Sequence, residues 1–309
     1  MKKFVHTRDL EHAEWLRYRK LGIGGSDAGA ICGLNPYRTA IHVYYDKTSD
    51  KIEEIDNEAM RQGREFEEYV AKRFMEATGK KVRRSHYMYQ HPEYPWMLAD
   101  VDRLIVGENA ALECKTASPY MADQWKDDKI PMSYQIQCYH YMAVLELEVM
   151  YLAVLILGKG FQYYRLERDE EIIADLIRIE KDFWENNVLK KVIPTPDGSK
   201  VADSVIAEYY KEAKKETILL SGFDEKLKRR AELEELMKRM ETEKKQIEQE
   251  LKLYMGYAEN AENEHYRISW KSIVSNKVDT TRLKEEKPEI YKEYLKPSVS
   301  RRLTVQSVA

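Results

Sequence analysis

Apolar residues along the chain recur at two spacings, every third or fourth position and every second position, and their succession lays out an α/β protein. Residues 9–21 (DLEHAEWLRYRKL) predict an amphipathic helix with Trp15 and Leu16 inward and Arg17, Arg19 and Lys20 gathered at its end. Residues 57–78 predict a long helix whose apolar stripe is Phe66, Val70 and Phe74, stopped by Gly79. A strand led by basic residues follows over 80–91. Leu98–Thr116 then reads as a β-hairpin. Its first strand carries Val101, Leu104, Ile105 and Val106, its second opens on Ala110, Ala111 and Leu112, and Gly107, Glu108 and Asn109 supply the turn. Pro131 opens a helix with Tyr134, Cys138, Tyr141 and Leu145 along one side. Strands over 149–157 and 161–167 and a helix over 169–190 complete an α/β layer arrangement.

Near residue 197 the rhythm changes, and the segment PDGSK marks a boundary between a core (1–197) and an extension (198–309). In the extension, 202–218 predicts a helix. Over 223–262, Leu233, Met237, Met240, Ile247, Leu251 and Tyr254 follow 3–4 spacing with Lys244 in the same seam, which predicts a short coiled coil or helical hairpin. At roughly three heptads such a seam is marginal alone, so it is expected to pack on its own chain or on a sister subunit. A strand over His265–Lys271, a helix over 280–295 and a strand over 301–305 make a small α+β cap.

Composition changes this picture little. With 309 residues, 43% of them hydrophobic, the chain can bury one large core. Charged residues reach 34%, above the ~25% usual for globular domains. A net charge of −3 and a pI of 6.2 do not advertise nucleic-acid binding, although a local basic groove is compatible with them. Three scattered cysteines, Cys32, Cys114 and Cys138, make neither a disulfide framework nor a C-x-x-C pair, and exclude a four-cysteine iron–sulfur site. No leader pattern and no 18-residue apolar run stands out, so a soluble, cytoplasmic protein is expected.

Candidate chemistry concentrates in the hairpin. Glu113 and Lys115 are two apart on one strand and share a face, and an in-register partner strand sets Asp102 across from them. Burying two carboxylates and an ammonium is costly unless a cation lies between the acids, and hard oxygen ligands suit magnesium. The bland alternative is a structural Lys–Glu pair at a sheet edge. D-x(10)-E-C-K is also the D…(D/E)-x-K arrangement of a class of metal-dependent nucleases. Upstream, Gly24 and Gly25 permit a sharp turn into a short helix that Ser26 would cap, and Arg19 lies near enough to hold a phosphate there. Glu67 and Glu68 flank the stripe of the long helix, where glutamates usually serve solvation. Lys80, Lys81, Arg83 and Arg84 could meet a phosphodiester backbone or merely keep an edge soluble.

With these pieces in order, residues 10–195 resemble the YqaJ-like viral recombinase family, whose best-known relative is phage lambda exonuclease. Trp15, Arg19, Gly22, Ile23 and Ser26 look like its opening block, Gln62-Gly63-Arg64 with Glu67 its helix motif, and Asp102, Glu113-x-Lys115 and Gln135-x-Gln137 its remaining three. The resemblance implies a PD-(D/E)xK core, a mixed central sheet flanked by helices. It implies an exonuclease that degrades one strand from duplex DNA ends, 5′ to 3′, leaving a tail for a phage single-strand annealing protein. Asp102 and Glu113, with the Cys114 carbonyl, would hold Mg2+ (Mn2+ substituting), and Glu67 would complete a site for a second ion. Lys115 and Gln137 would orient the attacking water, Arg19 and Ser26 would receive a 5′ phosphate, and Gln135 would contact DNA. A homo-oligomer, a trimer by resemblance, and the cytoplasm of a bacterial host also follow. The family's small-residue–Pro–Asp–Gly motif here reads Asp100-Val101-Asp102-Arg103, which leaves Asp100 as a rival to Asp102; register favours Asp102. The rivals in function are a nicking or restriction-type endonuclease of the same fold and a catalytically silent DNA-binding scaffold.

Overall fold

A computed structural model describes residues 1–50, 52, 57–297 and 300–306. They fall into two compact units, Met1–Tyr210 and Lys211–Ala309. The first contains, in order, β1 (Lys2–His6), α1 (His12–Lys20), β2 (Ile23–Gly24), α2 (Gly25–Ile31), α3 (Ala40–Thr48), α4 (Glu58–Thr78), β3 (Val82–Arg84), β4 (Tyr87–Gln90), β5 (Met97–Ala99), β6 (Arg103–Ile105), β7 (Ala110–Ala117), α5 (Met132–Leu145), β8 (Val149–Ile156), β9 (Gly160–Glu167), α6 (Glu170–Asp182) and α7 (Lys200–Tyr209). The strand expected over 80–91 is two strands, β3 and β4, which join different sheets.

A five-stranded sheet of order β3-β6-β7-β8-β9 forms the centre. Only β7 and β8 are parallel in it, so the chain must cross over between them, and α5 is that crossover. Side chains of β7 alternate between two apolar clusters. Ala110 and Leu112 pack with Val70, Ala71 and Phe74 of α4, whereas Ala111 packs with Met142 and Val144 of α5. Glu113 and Lys115 share the parity of Ala111 and therefore face α5. The long helix α4 forms as its pattern predicts: the Asn57 side chain accepts the Met60 N–H at 3.0 Å, and Gly79 ends the helix at φ +72°.

A second sheet, β1-β4-β5-β2, carries the other half of the site. β2 lies parallel to β5, with Ile23 beside Met97 and Gly24 beside Leu98. That pairing brings the end of α1 and the start of α2 next to the chain leaving β5 toward Asp100–Asp102. Close approach demands glycine here, since a Cβ on Gly25 would lie 2.5 Å from the Tyr141 ring and 3.0 Å from Gln137 Cγ. Ser26 does not cap α2 as its position suggested. Gly24 is the N-cap, and the Asp27 carboxylate accepts the Gly24 N–H at 3.0 Å, because the buried Asp27 can reach back one turn. Asp27 also pairs with Arg38 and, at 2.8 Å, with Lys47, whose Nζ donates to the Arg19 carbonyl at 2.9 Å.

The helix expected over 202–218 is shorter. As α7 it belongs to the first unit, burying Ala202 and Val205 against Tyr44 and Tyr45 of α3. In the second unit, α8 (Asp224–Met255) is one unbroken helix where a hairpin was a possibility. Its seam residues Leu233, Met237, Met240 and Ile247 are exposed. β10 (Asn260–Glu262) and β11 (Arg267–Ser269) pair antiparallel. Two short helices, α9 (Thr280–Glu286) and α10 (Pro288–Glu293), replace the single helix expected there, with Pro288 opening the second. Residues 301–305 form no strand.

Candidate active site

Strand pairing assembles the centre. Arg103 lies opposite Leu112 and Leu104 opposite Ala111, so the same register continued sets Asp102, one residue before β6, opposite Glu113. Asp102 Oδ2 accepts the Cys114 N–H at 2.7 Å. Glu113 Oε1 accepts from Lys115 Nζ at 2.7 Å and from Gln137 Nε2 at 2.7 Å. Gln137 Nε2 also donates to the Tyr141 hydroxyl at 3.1 Å, and Lys115 Nζ lies 4.9 Å above the Tyr134 ring. The second carboxylate oxygen of Glu113 is buried and has no hydrogen-bond partner.

This is an electrostatically unfinished cluster. Burial, then the neighbouring Glu113 and Glu67 carboxylates, push Asp102 well above the usual carboxylate range. Burial likewise raises Glu113 against the opposing pull of Lys115. Lys115 is raised as well, for a different reason. Burial alone would weaken its hold on the proton, but the Glu113 and Asp102 charges outweigh that and keep it an ammonium. An orphaned buried carboxylate oxygen costs about 1–3 kcal/mol, more when charged. The donor set therefore fits a hard cation. Among the described residues no three His, Cys, Asp or Glu side chains stand at metal-binding spacing. An ion would rest on Asp102, Glu113 and the Cys114 carbonyl, completed by water and substrate oxygens, as magnesium sites commonly are.

The carboxylates open onto a cleft of about 580 Å3 that brings together Asp102, Glu113, Gln137, Glu67, Arg19 and Ser26. Within it Arg19 Nη2 donates to Ser26 Oγ at 2.7 Å, and the Arg19 guanidinium lies 4.8 Å from the Trp15 ring. Lys115 is not among the lining residues and meets the cleft through Glu113. Gln135 is not brought to it either; its amide donates to the Ile130 carbonyl at 2.8 Å. Glu67 lines the cleft but is ion-paired to Arg103. Of the basic run after α4, Arg84 lines the cleft and pairs with Glu68 at 2.9 Å, while Lys80 is turned to Glu108.

Three contributors were only partly legible in the sequence, Asp100 among them as the rival to Asp102. Asp100 lines the cleft and accepts the Trp15 indole N–H at 2.7 Å, which distinguishes it from Asp102, the acid facing Glu113. Tyr141 was legible only as a core position, one turn after Gln137. Arg103 was visible as a departure from the family motif, yet nothing in the sequence said where its charge goes. Behind the cleft, buried His140 bonds the Leu98 carbonyl at 2.9 Å and Glu180 at 2.8 Å, tying α5 to β5 and α6.

The YqaJ-like viral recombinase domain matches residues 14–148. A protein of Bacillus subtilis (strain 168) called uncharacterized protein YqaJ is 38% identical over 306 residues, 97% of this chain and 96% of the relative. Among solved structures, the alkaline exonuclease LHK-Exo of Laribacter hongkongensis superposes with a TM-score of 0.50 over 58% of this chain and 93% of its own, at 20% identity. LHK-Exo in complex with dAMP gives 0.51 over the same shares. Those likenesses show a fold shared with LHK-Exo, and 38% identity to the Bacillus protein over nearly the whole of both chains establishes kinship: the chain belongs to the YqaJ-like viral recombinase family.

Proposed function

We propose that this protein is a metal-dependent deoxyribonuclease that hydrolyses one strand from duplex DNA ends, 5′ to 3′, in phage-type recombination. One observation carries the proposal: Asp102, Glu113 and Gln137 line the same cleft as an arginine–serine pair, with Lys115 bonded to Glu113 from behind it and one Glu113 oxygen unsatisfied. Asp102, Glu113 and the Cys114 carbonyl hold Mg2+, with Mn2+ able to replace it. When bound, the ion supplies Lewis-acid polarisation of the scissile phosphate and a lowered pKa for attacking water.

The chain's own groups do the rest. Lys115 places a positive charge beside Glu113 and orients the attacking water. Gln137 fixes the Glu113 carboxylate and presents its amide where the attacking water lies. Arg19 and the Ser26 hydroxyl grip a terminal 5′ phosphate and so set the strand end at a constant distance from the carboxylates. The exposed seam of α8 supports a homo-oligomer, a trimer by family likeness. A phage single-strand annealing protein takes the product strand.

Incubation with linear and covalently closed circular duplex, each with Mg2+ and with EDTA, tests this. Loss of linear substrate alone, abolished by EDTA, is expected. Equal cleavage of circles would indicate the endonuclease, and no cleavage of either a scaffold protein. Size-exclusion chromatography with light scattering reads the subunit number.

A further inference from the structure

Arg103 stands where the family motif has glycine, and its surroundings are unusual for an arginine. The side chain is 3% exposed. One nitrogen, Nη1, donates both to Glu67 Oε1 and to the Asp102 carbonyl, the latter at 2.8 Å. The other, Nη2, donates to Glu68 Oε2 at 3.0 Å. Alternation along β6 points Arg103 toward α4, opposite in parity to Asp102, so its charge lies just behind the acidic centre. Arg84 adds a second cation, 2.9 Å from Glu68 and 4.0 Å from Glu67.

A guanidinium does not lose its proton at any working pH. Enclosed as it is, Arg103 must keep a counter-charge, because a buried charge left without its partner is strongly destabilising. Glu67 is the more enclosed of its two acids, 27% exposed against 66% for Glu68. A divalent ion on Glu67 would face the fixed positive charge of Arg103 and strip away its better partner. The same guanidinium already places positive charge against Glu67, as an ion there would.

We propose that Arg103 occupies, as a built-in cation, the electrostatic place of a second metal ion, so that the centre holds a single divalent ion on Asp102 and Glu113 and Glu67 anchors Arg103. This rests on the nuclease assignment above and departs from the two-ion site that family likeness implies. It makes Arg103 and Glu67 positioning residues: they fix the potential at the carboxylates.

The test counts ions. Metal-stripped full-length protein is titrated with Mn2+, reading bound ion by calorimetry and free ion by electron paramagnetic resonance. The titration is repeated with a 5′-phosphorylated duplex whose terminal linkage is a non-hydrolysable phosphorothioate. One Mn2+ per chain is expected with and without DNA, still one for Glu67→Gln, none for Asp102→Asn, and two for Arg103→Met. Two ions on the wild-type chain in either titration would overturn the proposal and leave the nuclease assignment standing. A count that stays at one in Arg103→Met would show that something other than Arg103 excludes the second ion, and would overturn it too. Should Arg103→Met not fold, Arg103→Lys preserves the charge and is expected to bind one, and the wild-type count decides alone. No ion bound, with no Mg2+-dependent cleavage, would remove the nuclease assignment itself.

Discussion

Lys115 shows how a single side chain can be forced into one protonation state by its neighbours. Glu113 and Asp102 strengthen its hold on the proton, and in the proposed reaction it serves as a positive charge. Lys115→Ala is expected to lower cleavage at least about 10²-fold while DNA-end binding, measured by fluorescence anisotropy, stays within a factor of a few. Arg19→Ala should lower kcat/KM on 5′-phosphorylated ends and leave 5′-hydroxyl ends nearly unchanged, since only the former offer Arg19 and Ser26 a dianion. The raised carboxyls have a stability consequence of definite sign. A carboxyl whose folded-state pKa is raised contributes stability below its ordinary value, about 4, and loses it as pH rises through the raised one. Asp102→Asn is therefore expected to raise the melting temperature in EDTA at pH 8, by the equivalent of about 1–3 kcal/mol, with the gap closing toward pH 4. Mg2+ should raise the wild-type value and leave the variant unmoved.

At the scale of elements, the site depends on two close approaches. One is β6 against β7, which sets the carboxylates across from each other. The other is α2 against α5, where Gly25 lets the Ser26 segment press on Tyr141 and Gln137. Gly25→Ala inserts a methyl where the Tyr141 ring now lies. It is expected to cost up to about 10²-fold in kcat through displacement of Gln137, with circular dichroism unchanged. Asp27 holds the same region from below. Burial would raise its carboxyl, but Lys47, Arg38 and Arg19 keep it far below the usual range, so α1 and α2 are tied by a charge that persists at all ordinary pH.

On the scale of the whole molecule, every residue lining the cleft lies in the Met1–Tyr210 unit. A chain ended after Tyr210 is expected to retain Mg2+-dependent hydrolysis of linear duplex, and any loss of subunit association in it would locate assembly in Lys211–Ala309. The composition break near 197 was legible, but the unit runs on to Tyr210. What carries it there is the burial of Ala202 and Val205 against α3, a contact between segments more than 150 residues apart. Among the described residues no helix is long and apolar enough to cross a membrane.

Local rhythm settled much by itself. The stripe and caps of α4, the turn at 107–109 and the shared face of Glu113 and Lys115 depend on residues a few positions apart, and the chain's own periodicities determine them. The D…E-x-K spacing and the block order likewise sufficed to recognise the family. What the sequence left open depends on partners distant along the chain. Whether Asp100 or Asp102 faces Glu113 is decided by β-sheet register and by Trp15, 85 positions away. That Gln137 reaches Glu113 while Gln135 turns to a backbone carbonyl is decided by where α5 lies on the sheet. The fate of the Arg103 charge is decided by α4, more than thirty positions earlier. Charges and hydrogen bonds act through space, so only the folded chain could say which of them meet.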